Sequence, residues 1–465
     1  MLFSSLTFLY YFLPLTVGLY FLAPGRMKNT VLLLTSLLFY AWGEPRYVFL
    51  MGLSIFSGYC FGLLVERYKG KPSGRIFCIL SVTVSLSFLL YFKYAGFFLE
   101  SIRAVTGQEF PLWRISLPIG ISFYTFQMIS YTVDVYRGER AQRNLIDLAA
   151  YIAMFPQLIA GPIVTYSQVA GQLRDRKHTW DQAAQGIRRF AIGLSKKVLL
   201  ANQLGELCAT FRASEEKSVL FYWLYAIGFM LQIYFDFSGY SDMAVGLGGV
   251  FGLRFPENFS YPYISSSITE FWRRWHMTLG SWFRDYVYIP MGGNRVGKGR
   301  WLFNILTVWI LTGLWHGAAW NFALWGLLFA GLLILEKLWL LRVLERHKGL
   351  SHLYVLFFVL LGFVLFDAES LPQAFAGLGG LFGLGKIPLA TPQAIYCLRS
   401  FAVVLLGGIT GATPVLRWLF GKIAKGPRSG RLCNAVEPVV LAALLLIVTA
   451  YLVDGSFNPF LYFRF

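Results

Sequence analysis

Long apolar stretches recur along the whole of this chain of 465 residues, which is 57% hydrophobic and only 14% charged. Soluble proteins carry about 25% charged residues, so this chain lacks the polar groups needed to cover itself in water. A helix of about 20 apolar residues crosses the hydrocarbon core of a bilayer. The sequence therefore predicts an all-α polytopic membrane protein with roughly 10 to 13 embedded segments. The candidate segments are residues 2–22, 29–43, 47–65, 75–97, 116–136, 145–165, 186–206, 219–237, 301–316, 319–336, 352–367, 395–412 and 437–453.

The net charge of +18 does not indicate nucleic-acid binding, because the basic residues lie in short loops between apolar segments. Such loops remain on the cytoplasmic side of a membrane. With the N-terminus outside, residues 26–28, 66–75 and 137–143 are predicted to be cytoplasmic, and the mixed-charge loops 98–114 and 207–218 external. The basic clusters are Arg67/Lys69/Lys71/Arg75, Arg137/Arg140/Arg143, Arg174/Arg176/Lys177, Arg295/Lys298/Arg300, Arg342/Arg346/Lys348 and Lys422/Lys425/Arg428/Arg431.

The segment 145–165 does not fit an alternating topology, because both of its flanks are basic. Its "FPQLIAGP" contains two prolines and a glycine, which interrupt a helix. Non-helical backbone is tolerated at membrane depth only where protein or a wet cavity surrounds it. We expect this segment to be broken, to enter and leave by one face, and to lie inside the helix bundle.

The chain is predicted to form one membrane-embedded domain over residues 1–465. Residues 1–143 would form N-terminal spans, 144–340 a core, and 341–465 C-terminal spans. The core would include an interfacial helix over residues 267–289. Motifs of soluble enzymes are absent from the sequence, and no metal site is expected. The cysteines form no C-x-x-C pair and are predicted to be free thiols: Cys60, Cys78, Cys208, Cys397 and Cys433.

The stretch "SITEFWRRWHMTLGSWFRDYVYIPMGGNR", residues 267–295, has aromatic residues at helical spacing and arginines on the other side. This pattern is typical of a helix that lies in the membrane interface. Ser267 and Glu270 predict a capping box at its start, and Pro290 a stop at its end. His276 falls at the edge of the inward face, either as an interfacial histidine with one hydrogen bond or as a polar group in a cavity.

Two carboxylates, Asp236 and Asp242, lie near the end of the apolar segment 219–237. Buried carboxylates are costly unless they are paired or wet, so we expect them to pair with arginines such as Arg254 or Arg273. Nearby glycines predict close helix packing. They are Gly239, Gly246, Gly248, Gly249 and Gly252.

The stretch "ILTGLWHGAAWNFALWG", residues 310–326, places His316 among tryptophans and small residues. Gly313 and Gly317 would allow another helix to approach closely. Burial disfavours the imidazolium, so the ring is expected to be neutral. It would then be either a packed histidine bonded to a carbonyl or a general base that activates a hydroxyl.

Six segments, in order along the chain, resemble the bacterial alginate O-acetyltransferase branch of the membrane-bound O-acyltransferases. They are "PIGISFYTFQMISYTVDVYRG" (118–138), "FPQLIAGPIV" (155–164), "YFDFSGYSDMAVGLG" (234–248), "FPENFSYPYISSSITEFWRRWHMTLGSWFRDYVYIPMGGNR" (255–295), "LTGLWHGAAWNFALWG" (311–326) and "FNPFLYFRF" (457–465).

The resemblance implies a ring of transmembrane helices around a thin central region, with funnels from both faces. It implies that His316 is the catalytic histidine and His276 the second characteristic one. It further implies acetyl transfer from a cytoplasmic donor, acetyl-CoA, with no bound cofactor. The acetyl group would cross a bacterial inner membrane and would then be passed by a periplasmic or extracellular partner protein to an exopolysaccharide such as alginate. Candidate binding residues around the two histidines are Trp272, Arg273, Arg274, Trp315, Trp320, Asn321 and Asp236.

Three other functions remain open at this point. A sister branch transfers D-alanine from a carrier protein to cell-wall polymers and shares both histidines. A proton-coupled transporter or flippase would use His316 as a proton relay. A scaffold without activity would position partner proteins. Labelled acetyl-CoA separates an enzyme from the other two classes.

Overall fold

The computed structural model describes residues 1–108 and 115–455, and these residues contain helices and loops but no strands. The resemblance at 457–465 and part of the predicted external loop 98–114 lie outside the described residues. The helices are α1 Leu13–Leu22, α2 Lys28–Gly43, α3 Val48–Arg67, α4 Pro72–Leu89, α5 Ala95–Thr106, α6 Ile121–Arg137, α7 Leu145–Ala153, α8 Phe155–Leu158, α9 Tyr166–Arg174, α10 Trp180–Ser195, α11 Asn202–Ala213, α12 Val219–Val250, α13 Ile268–Arg274, α14 Met277–Phe283, α15 Lys298–His316, α16 Trp320–Leu335, α17 Leu341–Arg346, α18 Lys348–Asp367, α19 Leu371–Leu381, α20 Pro392–Ser400, α21 Ala402–Gly411, α22 Val415–Ala424 and α23 Pro427–Val453.

Short helices of other types continue or join the α-helices. The π-helical segments are Phe8–Phe12, Leu90–Tyr94, Lys196–Ala201, Arg284–Tyr288 and Glu336–Leu340, and the 3₁₀ turns are Gly25–Met27 and Pro262–Ile264.

Several helices have the length and apolar character needed to cross a bilayer, which makes the chain an all-α polytopic membrane protein. Within the described residues these are Val48–Arg67, Pro72–Thr106, Val219–Val250, Lys348–Asp367 and Ser429–Val453, and a sixth if the pair α20 and α21, bent by 55°, is one span. Other predicted segments, such as 29–43 and 116–136, form shorter helices, so the total of 10 to 13 embedded segments stays a prediction.

Apolar side chains cover much of the outer surface of these helices. In the span Ser429–Val453 only 6% of the most apolar window is buried inside the protein. Leu446 and Val453 in this span are 71% and 66% exposed. Exposed apolar surface on this scale is typical of helices that face lipid. The membrane setting inferred from composition is therefore visible in the folded chain.

The chain forms two compact units, which do not follow the chain order. One contains residues 1–190 and 243–256, and the other contains residues 191–242 and 257–465. Both predicted histidines, His276 and His316, belong to the second unit. Helix α12 contributes residues to each unit.

The broken segment predicted at 145–165 is present in the first unit. Helix α7 ends at Ala153, and after the one-turn helix α8 the chain continues without helix to residue 164. All residues from 150 to 164 are buried. The Gln157 amide donates a hydrogen bond to the Tyr151 carbonyl, and the Ser36 hydroxyl accepts one from the Phe155 amide at 3.1 Å. Protein therefore surrounds the irregular backbone, as expected from the prolines and the glycine.

Glycines allow the close helix contacts that the sequence predicts. In the first unit, a Cβ at Gly246 would lie 2.5 Å from the Gly186 carbonyl oxygen, so α10 and α12 approach through glycine. In the second unit, a Cβ at Gly313 would overlap the Phe322 carbonyl. Helices α15 and α16 therefore pack with almost no side chain between them, and His316 lies at the end of this contact.

The predicted interfacial helix over 267–289 is wrong as a single helix. It is divided into α13 and α14 by Trp275 and His276, and His276 has a left-handed φ of 44°. Loop residue Asn258 accepts hydrogen bonds from the Met277 amide through its carbonyl (3.0 Å) and from the Thr278 amide through its side chain (3.3 Å). The break is therefore stabilised by acceptors from a distant loop, which an apolar period cannot reveal.

The predicted cap at the start of α13 is half confirmed. The Ser267 hydroxyl is the N-cap and accepts a hydrogen bond from the Glu270 amide at 3.0 Å. The Glu270 carboxylate accepts from the amide and hydroxyl of Ser266 instead of the Ser267 amide. The predicted stop near Pro290 is confirmed, because the helical backbone ends at Tyr288.

Candidate active site

His316 is the last residue of α15 and is buried, with 7% of its surface exposed. Its ring lies 4.9 Å from the Trp315 ring, 5.4 Å from Trp325 and 5.2 Å from Phe366, measured between centroids. The helix ends here because Gly317 has an extended backbone, with φ −160°. The ring is therefore enclosed by aromatic groups from α15, α16 and α18 and does not point at lipid.

His276 is also buried, with 2% of its surface exposed. Its Nδ1 lies 3.1 Å from Asn258 Oδ1, and its ring packs at 4.7 Å against the Phe237 ring. Burial lowers the pKa of His276 to about 3, so the ring is neutral near pH 7. Of the two interpretations from sequence, the structure favours a polar group in a cavity.

A cavity of about 520 Å³ adjoins His276 in the second unit. Its wall combines aromatic and aliphatic side chains with several polar groups, as is typical of small-molecule sites. His276 contributes to this wall, whereas His316 is not among the described lining residues. Trp315 packs against both histidine rings, at 5.9 Å from His276. The cavity is lined by Trp272, Arg273, Trp275, His276, Met277, Leu279, Gly280, Ser281, Phe283, Arg284, Tyr288, Ile305, Val308, Trp309, Thr312, Leu333 and Lys337.

Three cations lie on the wall of this cavity, and their residues are exposed: Arg273, Arg284 and Lys337. Arg284 forms an ion pair with Asp285 at 2.7 Å. Desolvation and then the nearby Arg273 cation lower the pKa of Lys337. Arg274, also predicted as a binding residue, pairs with Glu270 at 2.9 Å and is not among the described lining residues. The positive charge at the cavity therefore comes from Arg273, Arg284 and Lys337.

The cavity also has a polar atom that no protein group uses. The indole Nε1 of Trp272 is buried and has no hydrogen-bond partner among the described residues. The Trp272 ring is held edge-on to the rings of Trp325 and Phe329, at 5.4 and 4.9 Å. A buried N–H donor in a cavity wall is available to a ligand.

The predicted pairing of the two aspartates with arginines is wrong. Asp236 forms an ion pair with Lys197 at 2.6 Å, and Asp242 with Lys196 at the same distance. The lysines begin the π-helical segment Lys196–Ala201, which lies beside α12. Asp236 and Lys197 are almost wholly buried, and Asp236 is not among the described cavity residues. The structure therefore supplies a structural partner for Asp236.

Asn321 and Trp320, the other predicted binding residues, begin α16. The Asn321 amide donates hydrogen bonds to the carbonyls of Ala368 (2.7 Å) and Leu365 (3.5 Å). It thereby joins α16 to the end of α18, which carries Phe366 against His316. Trp320 is 58% exposed. Neither residue is among the described cavity residues.

Two residues near the site were missed from the sequence. Asn258 bonds His276, and Glu336 is a buried carboxylate that accepts from the amides of Ile268 (2.5 Å) and Thr269 (2.9 Å) at the start of α13. Glu336 could have been identified from the sequence, because it is an acidic residue at the end of the apolar run 320–335. Asn258 could not, since its role depends on the fold alone.

These features define a class: a helical, multi-pass membrane protein with two buried histidines, one of which lines an aromatic cavity. The model of the MBOAT, or membrane-bound O-acyltransferase, family matches residues 81–366, which is more than half of the chain. The chain belongs to this family and is an O-acyltransferase.

Three relatives illustrate its similarities. The chain is 39% identical to "Probable alginate O-acetylase AlgI" of Azotobacter vinelandii over 100% of both chains. It is 34% identical to "Peptidoglycan O-acetyltransferase" of Helicobacter pylori, over 84% of this chain and 81% of that one. It is 32% identical to "Teichoic acid D-alanyltransferase" of Bacillus subtilis, over 56% of this chain and 67% of that one.

Proposed function

We propose that the protein transfers an acetyl group from acetyl-CoA, bound from the cytoplasmic side, to a hydroxyl acceptor presented on the outer side of a bacterial inner membrane. The product is an O-acetylated exopolysaccharide, with alginate as the first candidate. A periplasmic or extracellular partner protein completes the transfer. The full-length similarity to a protein named as an alginate O-acetylase supports this acceptor.

The observation that carries the proposal is the cavity beside His276. Its volume of about 520 Å³ falls within the range of about 300–1,000 Å³ that holds small ligands. Trp272 Nε1 is available to donate a hydrogen bond to the thioester carbonyl, and its indole packs against other aromatic rings. A thioester arm fits this combination of apolar wall and isolated polar groups.

The charges on the cavity wall support a donor that carries phosphates. Arg273, Arg284 and Lys337 give this surface a positive potential, which attracts the phosphates of CoA. Arg295 and Lys298, which lie between the cavity residues Tyr288 and Ile305 in the sequence, add basic charge to this part of the chain. A carrier protein with a phosphopantetheine arm would use the same charges, so the donor has to be identified by assay.

In the proposed reaction His316 acts as general base. It removes the proton of the acceptor hydroxyl as the oxygen attacks the thioester carbonyl, and the CoA thiol leaves with a proton returned to it. The products are an ester and free CoA, so the step needs no oxidant or metal. Loss of a general base costs about 10²- to 10⁴-fold in rate.

The first experiment supplies purified protein in lipid vesicles with [¹⁴C-acetyl]-CoA and, separately, with a D-alanyl carrier protein. We expect cleavage of acetyl-CoA, with label transferred to an alginate oligosaccharide once the partner protein is added. Cleavage of the D-alanyl thioester alone would identify the D-alanine branch as the correct function. Failure of folded protein to cleave either donor would refute the proposed donors.

The second experiment tests His316 with a matched control. His316→Ala should retain folding and membrane insertion and lose about 10²- to 10⁴-fold in acetyl transfer. His347→Ala removes an exposed histidine at the end of α17 and should transfer acetyl groups at the normal rate. Normal transfer by the His316 variant would exclude it as the base.

A further inference from the structure

One atom of the Asn258 side chain, which the resemblance does not assign, lies within hydrogen-bond distance of three other atoms. This atom, Oδ1, lies 3.1 Å from His276 Nδ1, 2.9 Å from the Thr278 hydroxyl and 3.3 Å from the Thr278 backbone nitrogen. Asn258 is 1% exposed, and it comes from the loop before α13. These contacts decide which proton the His276 ring carries.

The backbone amide of Thr278 can only donate a hydrogen bond. The Asn258 atom that faces it must therefore be the oxygen, because the amide nitrogen would oppose donor to donor. The same oxygen faces His276 Nδ1, so Nδ1 must carry the hydrogen. A neutral imidazole has one N–H, which leaves Nε2 as an acceptor.

The other half of the Asn258 amide shows why the choice of asparagine over aspartate matters. Its Nδ2 is buried and has no hydrogen-bond partner among the described residues, which is unfavourable for a buried donor. An aspartate would accept the same bonds without a stranded donor. However, its negative charge beside the ring would stabilise the imidazolium. Asparagine is the residue that offers the acceptor while leaving the ring neutral.

We propose that Asn258 is a positioning residue that holds His276 as the Nδ1–H tautomer, so that Nε2 is the acceptor nitrogen of the ring. The inference rests on the proposed acetyl transfer, in which His276 contacts the acyl donor. A neutral ring whose N–H is bonded to Asn258 has no hydrogen for an oxyanion, so His276 orients the donor.

The tautomer is tested without reference to activity, by ¹⁵N solid-state NMR of protein labelled at histidine nitrogens in lipid vesicles. The signals of His276 are assigned from the spectrum of His276→Gln. We expect a protonated Nδ1 and an unprotonated Nε2 in the wild-type protein. An Nε2–H tautomer or an imidazolium near pH 7 would overturn the inference even if acetyl transfer is normal.

Two variants at Asn258 separate positioning from simple stability. Asn258→Leu removes the acceptor and should give mixed tautomers, with a loss of about 10- to 100-fold in kcat/KM, the scale known for partners that orient metal-bound imidazoles. Asn258→Asp keeps the acceptor and adds a charge. An adjacent carboxylate favours the imidazolium. As pH decreases, the Asn258→Asp variant should therefore lose activity at a higher pH than the wild-type protein does.

The control is Asn202→Leu, which removes another buried amide of the second unit. It should leave the His276 signals and the pH profile unchanged, whatever it does to stability. If Asn258→Asp has the wild-type pH profile, or Asn258→Leu keeps a single Nδ1–H tautomer, Asn258 does not position the ring. If the tautomer is as expected and acetyl-CoA is not cleaved, the proposed function fails and the tautomer assignment remains.

Discussion

The buried ion pair between Lys197 and Asp236 gives a sharp test of whether Asp236 is structural. The two side chains are 3% and 4% exposed, and the charged atoms are 2.6 Å apart. At an effective dielectric constant of about 20, unit charges roughly 3 Å apart attract by about 6 kcal/mol. Part of this attraction offsets the cost of burying the charges. Removal of one partner from such a pair therefore costs about 3–5 kcal/mol of unfolding free energy, because the other charge is left uncompensated.

The variants are Lys197→Met, Asp236→Leu and the double substitution. Each single variant should lose about 3–5 kcal/mol, and the double variant should recover most of it, since a hydrophobic pair of similar volume replaces the ions. The assay is unfolding by SDS titration in mixed micelles, followed by tryptophan fluorescence. Acetyl transfer by the double variant is measured in parallel, and it should persist if Asp236 has no role in binding.

The neighbouring pair provides a matched control. Lys196 and Asp242 are also 2.6 Å apart, but their side chains are 28% and 17% exposed. Solvent reduces the value of such a pair, so Lys196→Met should cost about 1 kcal/mol or less. Equal losses for Lys197→Met and Lys196→Met would refute the argument from burial. A double variant that is stable but inactive would instead indicate that Asp236 has a role in binding.

The remaining predictions concern helix packing and the start of α13. Gly313→Val should force α15 and α16 apart and lower the unfolding free energy in the SDS assay by about 1–3 kcal/mol. A Cβ added at Gly331 would meet no atom within 4 Å, so Gly331→Val should lower it by less than about 1.5 kcal/mol. Glu336→Ala should cost about 1–3 kcal/mol by leaving backbone amides of α13 unbonded, and Glu336→Gln should cost less because it retains an acceptor oxygen. At Glu270, burial is outweighed by hydrogen bonds from Ser266 and Arg274, which lower the pKa below 4.5. Its stabilisation is therefore present above that pH and lost as pH falls, and Glu270→Gln should flatten the unfolding free energy between about pH 3 and 6.

Features that depend on local sequence were predicted correctly. The prolines and glycine of 145–165 predict a broken segment, and its irregular part is buried in the structure. Gly246 and Gly313 predict helix contacts that are too close for a side chain. A Cβ at either position would meet a backbone carbonyl of the neighbouring helix. In both cases the residue type itself restricts the backbone or the packing distance, so the sequence contains the cause.

Features that depend on distant partners were not predictable in this way. The apolar period of 267–289 continues through His276, and nothing local marks the break that Asn258 stabilises. The partners of Asp236 and Asp242 are lysines in an apolar stretch of a separate helix, so spacing along the sequence gave the wrong cations. The partner of a polar group inside a membrane bundle depends on which side chains the packed helices bring close to it. This arrangement exists only after the helices have packed.

The two histidines show why this difference matters for function. In the sequence they look alike, since each is an ionisable ring in an aromatic, apolar stretch. In the folded chain, His276 lines the cavity and has an amide oxygen at Nδ1, whereas His316 is packed among the rings of Trp315, Trp325 and Phe366. An indole does not titrate near neutral pH, so the Trp315 ring that contacts both histidines is not a proton carrier between them. This difference fits the two roles proposed for the rings, which are orientation of the donor at His276 and proton transfer at His316.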